Sequence, residues 1–399
     1  MPPKEHAKFH SIVLLTYCLN KLYGLSPFSY NFTTRTCTAS SVAVAYCIVN
    51  ILFLLFFYPT FCIPLYYAMV NANFEGNLES TVGTAQGTIE FIAVILTQCV
   101  YLYYRKEIIV YFNRKIAYEK KIVQYSQTLY GGMHFVIRLI VLIAIFLLKL
   151  CANHMTMYII PSITLPIFII LTINLVPNAV MTLAGCNFTM EVITLRYFAA
   201  QINFMLCKIG QLTNLPQATS TAKKTVIYCK ASEAIDELLI LHSELNEILV
   251  MFNKVQSFVL LLFFMNKFAE LIIPIFFVYL AAIGLSIADI ETNVYISIIL
   301  TNIFSFLELK MATMFSDQLI NEIATTGKIL HEFPIQNADD RLKESINRFS
   351  IQILQEKRPI IVCGMYRVDN SLLYIMASSM TSYLILLIQF QIEARKSGI

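Results

Sequence analysis

Long apolar runs separated by short charged intervals organise this chain. Crossing the hydrocarbon core of a bilayer takes roughly 20 mostly apolar helical residues. Seven stretches approach that length, at 42–66, 83–104, 135–151, 157–184, 258–285, 293–315 and 370–392. The third is the shortest, and Arg138 and Lys149 crowd its ends. The fourth lies inside a charge-free run from Leu150 to Met190. Few charges fall within the others: Glu90 in the second, Lys267 and Glu270 in the fifth, Glu308 and Lys310 near the end of the sixth.

Between these runs the pattern changes to a helical repeat. From Lys223 to Lys254, Ile235, Leu238, Leu239, His242, Leu245 and Leu249 recur on one side, with acids mostly elsewhere on the wheel. This predicts an amphipathic helix leading into the fifth span. Leu342, Ile346, Phe349 and Ile353 predict a second one over 340–355. A run from Ser11 to Leu19 follows Lys4, Glu5 and Lys8 without a small-residue cleavage site, and reads as an uncleaved amphipathic lead-in.

Basic residues alternate between the two sides. The N-terminal segment and the 2–3, 4–5 and 6–7 connections hold 23 Lys and Arg, against three in the other connections and the tail. Lys149 is one of those three. Basic loops stay in the cytoplasm, so the expected topology has the N-terminus inside and the C-terminus outside. Composition agrees with a polytopic membrane protein: 57% of residues are hydrophobic, 14% charged, and the mean hydropathy is +0.66. A net charge of +4 leaves no case for nucleic acid as a partner. The ten cysteines form no CxxC pair and the six histidines have no metal-ligand spacing, so neither a metal site nor a cofactor is expected.

The last span carries the most specific pattern. At about 100° per residue, Ser378, Ser382, Ile385 and Gln389 all fall within roughly 40° of Ser371. Tyr383 and Phe390 share another face. A polar stripe on an apolar helix faces protein or water, since lipid cannot satisfy it. Several copies around an axis would enclose a hydroxyl-lined path with an Ile and Gln constriction, which gates by dewetting. Small serines equally suit close helix packing, and the stripe alone does not choose between the two.

The segment Ser382-Tyr383-Leu384-Ile385-Leu386-Leu387-Ile388-Gln389-Phe390 resembles the C-terminal signature of insect gustatory receptors: Thr-Tyr, five hydrophobic residues, then Gln-Phe. Ser382 replaces the usual Thr and keeps its hydroxyl. Ile361 to Asp369 resembles the family's run before its last helix, and Gly24-Leu25-Ser26-Pro27 its N-terminal lead-in. The resemblance implies a ligand-gated, non-selective cation channel, a homo- or heterotetramer with related subunits, in the plasma membrane of chemosensory neurons. It implies a pore lined by the last helix, a gate at Gln389 and Phe390, and a ligand pocket in the outer half among helices 2 to 6. Cytoplasmic helical extensions would build a shared anchor domain. Leu384 stands where sugar-sensing members often have Glu, which weighs against a sugar without excluding it; the aromatic and polar pocket candidates lean toward bitter compounds, with sugar or pheromone as alternatives.

The expected organisation of this all-α membrane protein is therefore an N-terminal cytoplasmic segment at 1–40 and spans 1–4 within 41–184. A cytoplasmic helical connection follows at 185–256, then spans 5 and 6 within 257–315. An anchor segment at 316–367 leads to the pore helix at 368–392, with an extracellular tail at 393–399. Candidate outer-pocket residues are Thr88, Glu90, Tyr158, Tyr279 and Tyr295, because aromatics with a few polar groups suit small organic molecules. A G-protein-coupled receptor is the rival reading. Its N-terminus should lie outside, and neither Asp-Arg-Tyr after span 3 nor Asn-Pro-x-x-Tyr in span 7 is present. Nothing resembles a catalytic constellation: there are no paired intramembrane carboxylates and no nucleophile with a base at motif spacing. Lys267 and Glu270, three apart, read as a neutralising pair. Asn31 and Asn187 match glycosylation sequons but fall on the expected inside, and read as chance matches.

Overall fold

The computed structural model describes residues 3–64, 77–125, 132–158, 175–214, 220–283, 292–333, 338–356 and 360–396. In chain order these form α1 (Pro3–Leu22), an antiparallel hairpin of β1 (Phe28–Asn31) and β2 (Thr36–Ala39), and α2 (Ser41–Phe57), which continues into a π-helical turn at Tyr58–Cys62. Then come α3 (Asn77–Tyr103), α4 (Arg105–Tyr125), α5 (Gly132–Tyr158), α6 (Val176–Thr213), α7 (Thr221–Ala282), α8 (Thr292–His331) and α9 (Asp340–Gln355). A two-residue ladder of β3 (Ile361–Val362) and β4 (Tyr366–Arg367) precedes α10 (Asn370–Lys396).

Six of these helices are long and apolar enough to cross a membrane, within α2, α3, α5, α7, α8 and α10. Most of the expected fourth span lies outside the described residues, which resume ahead of α6. Span and extension are continuous in α7. Its 62 residues reach about 90 Å at 1.5 Å per residue, about three times the hydrocarbon core. The expected amphipathic face is the buried one: Ile235, Leu238, His242, Leu245 and Leu249 are buried and Leu239 is half-buried. On α9, Leu342, Ile346, Phe349 and Ile353 are all buried, and this helix packs against the same part of α7.

The core is densest where α6 lies between α7 and α8. Gly185 makes that contact possible. A Cβ there would sit 2.2 Å from Cε2 of fully buried Phe263, so only a residue without a side chain lets α6 and α7 approach this closely. Asn187 is buried and exchanges amide hydrogen bonds of 2.9 and 2.6 Å with Asn20, so it offers no glycan acceptor. The described cysteines are free thiols.

Two features depart from what the sequence predicts, and a third adds to it. The basic 2–3 connection is itself a helix, α4, whose Ile108, Tyr111, Tyr118 and Ile122 are buried against the bundle. The Gly24-Leu25-Ser26 lead-in is a tight turn in which Gly24 has φ +71° and Leu25 and Ser26 are buried. Lys149 is not a loop charge. The helix α5 runs on to Tyr158, which carries Lys149 inside the bundle, where it is fully buried. The basic count on the C-terminal side falls accordingly, and the charge asymmetry sharpens.

Candidate functional site

Helix α10 starts from a well-anchored base. Asp369 caps it: its Oδ1 accepts from the Ser371 and Leu372 amides at 2.9 and 3.4 Å, and from the Ser371 hydroxyl. Asn370 donates to Asp317 on α8 at 2.7 Å. The ladder before it is pinned to α7, where Ser257 Oγ accepts from the Cys363 amide at 2.6 Å and Asn253 accepts from Ile361 at 3.3 Å. The turn holds Cys363 and Gly364 in the left-handed region, at φ 49° and 74°.

Beyond that base α10 is the least covered span, with 11% of its apolar window buried. Ser371, Ser378, Ser382, Ile385, Gln389 and Phe390 are all exposed. The stripe is thus an uncovered surface of the single chain, and close packing of its serines within the subunit is not what they do. Ser371 belongs to the cap, and the Ser382 hydroxyl donates back to the Ser378 carbonyl at 3.1 Å. The opposite face of α10 touches the bundle. Tyr383 meets Phe268 edge-on, with centroids 5.6 Å apart. Leu384, Leu387 and Ile388 pack on Phe276 and Leu280 of α7, together with Val82 and the half-buried Tyr279.

Inside the bundle lies an ionic cluster that the sequence showed only as one pair. Lys267 Nζ is 2.8 Å from Glu270 and 2.6 Å from Glu308; Lys149 Nζ is 2.7 Å from Glu270 and 3.1 Å from Glu308. Two lysines and two carboxylates, drawn from α5, α7 and α8, alternate around a ring. The carboxylates therefore do come together, each held between two ammonium groups rather than free to exchange a proton with the other. Thr182 of α6 accepts from Lys149, and Asn178 of α6 and Ser305 of α8 donate to Glu270, while the Oε1 of Glu308 is buried without a hydrogen-bond partner. Charges this deep persist only when paired and hydrogen-bonded.

The expected pocket residues divide. Glu90 is half-buried, and its Oε1 is shielded from solvent without a hydrogen-bond partner. Thr88 spends its hydroxyl on the Thr84 carbonyl at 2.8 Å. Tyr279 sits against the α10 contact face. The side chains of Tyr158 and Tyr295 lie outside the described residues.

The model of the 7tm chemosensory receptor family matches residues 13–394. The chain belongs to that family. Its fold is that of a solved member-like structure, the insect olfactory receptor OR5 from Machilis hrabei, with a TM-score of 0.65 at 12% identity over 96% of this chain and 98% of that one. The same receptor solved with eugenol matches at a TM-score of 0.63. Two similar relatives are Drosophila melanogaster gustatory receptors for bitter taste: 66a, 26% identical over 42% of this chain, and 93a, 22% identical over 43%. These alignments span 32% and 39% of the relatives' own lengths. Two further gustatory relatives from the same fly carry no taste quality in their names. As a chemosensory receptor with this many spans, the chain is a multi-pass membrane protein and a receptor rather than an enzyme.

Proposed function

We propose that this chemosensory receptor is a subunit of a ligand-gated cation channel in which four copies place α10 around one pore. The observation that carries the reading is the uncovered polar stripe of α10. Ser378, Ser382 and Gln389 lie exposed on the span with the smallest buried share; the Ser382 hydroxyl is spent on its own helix, but hydrocarbon cannot satisfy the Gln389 amide. Water in a shared path, with neighbouring copies on either side, does so. Gln389 and Phe390 form the constriction, wet when the helices spread and dry when they close. The N-terminus is cytoplasmic by the charge asymmetry, and the long ends of α7, α8 and α9 form the base that holds the copies together.

Small neutral organic tastants bind in the outer half, near Glu90 and Tyr279. Tyr279 shares a hydrophobic cluster with Leu384, Leu387 and Ile388, so a ligand that shifts Tyr279 bears directly on the pore helix. The names of the 66a and 93a relatives support bitter compounds over sugars or a pheromone. The setting is the plasma membrane of chemosensory neurons, with further copies or related subunits as partners in the tetramer. Expressing the chain, alone and with such subunits, and recording whole-cell currents during a tastant screen tests the proposal. A tastant-evoked cation current supports it. Responses that require a G protein and show no current of their own would overturn it.

A further inference from the structure

A cavity of about 420 Å³ opens beside α1, between α1, the β1–β2 hairpin, the end of α3, α4 and the faces of α6 and α7. Its position is the opposite end of the spans from the outer pocket, cytoplasmic in the topology proposed above. The size suits a small organic molecule.

The walls are mainly apolar, with Leu25, Phe28, Ile108, Phe112 and Phe252 among them. The buried polar groups at its centre are largely engaged with one another. Glu191 accepts from the Tyr111 hydroxyl at 2.6 Å and from Lys115 Nζ at 2.6 and 2.7 Å. Burial, and then the Glu191 carboxylate, push the Tyr111 phenol well above its ordinary range, so it stays a donor. Asn20 and Asn187 satisfy each other. The buried Glu191 carboxylate is neutralised by Lys115, while Arg35 and Glu119 are half-buried and Lys120 is exposed, so the deep part of the space suits a neutral guest.

One pair is left incomplete. Gln256, 8% exposed, donates its Nε2 to the Tyr101 hydroxyl at 3.3 Å, and its Oε1 is buried without a partner. Tyr101 accepts that bond, and among the described residues nothing accepts its own proton. Side by side, the two present one acceptor and one donor, 7% exposed in the case of Tyr101. A hydroxyl group answers both at once, donating to Gln256 and accepting from Tyr101. If the carboxamide is turned over, Tyr101 donates to Oε1 and the free Nε2 still meets a hydroxyl oxygen. An unpartnered buried amide costs stability that a guest restores.

We propose that this cavity is a second ligand site, separate from the outer pocket, that takes a small neutral alcohol or phenol with a hydrocarbon body, its hydroxyl on Gln256 and Tyr101. The inference rests on this chain's own walls and not on channel gating, and only its cytoplasmic placement depends on the proposed topology.

The test is photolabelling of the purified full-length receptor with 4-(trifluoromethyldiazirinyl)benzyl alcohol, followed by peptide mapping. Saturable labelling of the segments around Tyr101–Phe112 or Phe252–Gln256, displaced by 2-naphthol but not by naphthalene, is expected. Gln256→Leu should weaken labelling about fivefold, the loss of one hydrogen bond. Ile116→Trp, which fills the half-buried wall near the mouth, should abolish it. Labelling that does not saturate, that maps only elsewhere, or that persists in whichever variant folds overturns the site. A co-purifying lipid that 2-naphthol cannot displace does so too. The readout is binding, so a chain that labels as expected but carries no current would refute the channel reading and leave this one standing.

Discussion

The ring of Tyr383 on α10 meets Phe268 of α7 edge-on, at a centroid distance of 5.6 Å and an interplanar angle of 88°. Phe268 follows Lys267 directly, so the motif tyrosine of the exposed helix rests on the residue next to the ionic cluster. An edge-to-face pair contributes roughly 1 kcal/mol beyond its area. Phe268→Ala and Tyr383→Ala should each shift the closed–open balance several-fold, read as a change in basal current or in the tastant concentration for half activation. The double variant should shift it little further than either single one, because both remove the same contact.

The ring of Lys149, Lys267, Glu270 and Glu308 predicts a strongly non-additive pair. Lys267→Met leaves two carboxylates with one lysine. Breaking a buried ion pair costs about 3–5 kcal/mol, enough to cut surface expression sharply. Lys267→Met combined with Glu308→Leu restores neutrality and should recover much of that expression. Equal losses in the single and double variants, by surface labelling, would show that the ring does not act as a unit.

Gly185 admits no β-carbon without moving Phe263. Gly185→Ala should lower the thermal stability of the purified receptor by about 1–3 kcal/mol, the usual cost of overpacking. Phe263→Leu in the same chain should return part of it, since the displaced atoms are those of the ring.

His242 gives the helical base of α7 and α9 a pH dependence. It is buried, meets Phe349 edge-on at 5.4 Å and has Nδ1 3.4 Å from Glu356. Burial lowers its pKa below the ordinary histidine value, and Glu356 offsets that in part. The unfolded chain therefore binds the proton more readily than the folded one. The stability this contributes is fully present above about pH 6.5 and is lost as pH falls below it. Thermal unfolding between pH 7.5 and pH 5 should show the loss, and His242→Gln should flatten that part of the profile.

Much of the architecture was legible as long apolar runs, because a bilayer demands them. The helical repeats at Ile235–Leu249 and Leu342–Ile353 likewise placed the correct faces inward. Helix α4 was hidden by its six basic residues, although Ile108, Tyr111, Tyr118 and Ile122 already stood at helical spacing. The four-residue strands at Phe28–Asn31 and Thr36–Ala39 are too short to show alternation. The ionic ring was not legible, since Lys149 and Glu308 lie far apart in the chain and meet only through packing. The cavity at Gln256 depends on six elements, and no local pattern encodes it.

In the proposed channel α10 lines the path, and Gln389 and Phe390 form its gate. The direct measurement is whole-cell current with reversal potentials in exchanged cations, for variants shown to reach the surface. Phe390→Ala removes exposed bulk and should leave a leaky, wetted pore. Gln389→Glu sets up to four carboxylates at the constriction and should raise cation preference or introduce divalent block. Variants that conduct with unaltered gating, selectivity and block would contradict the account.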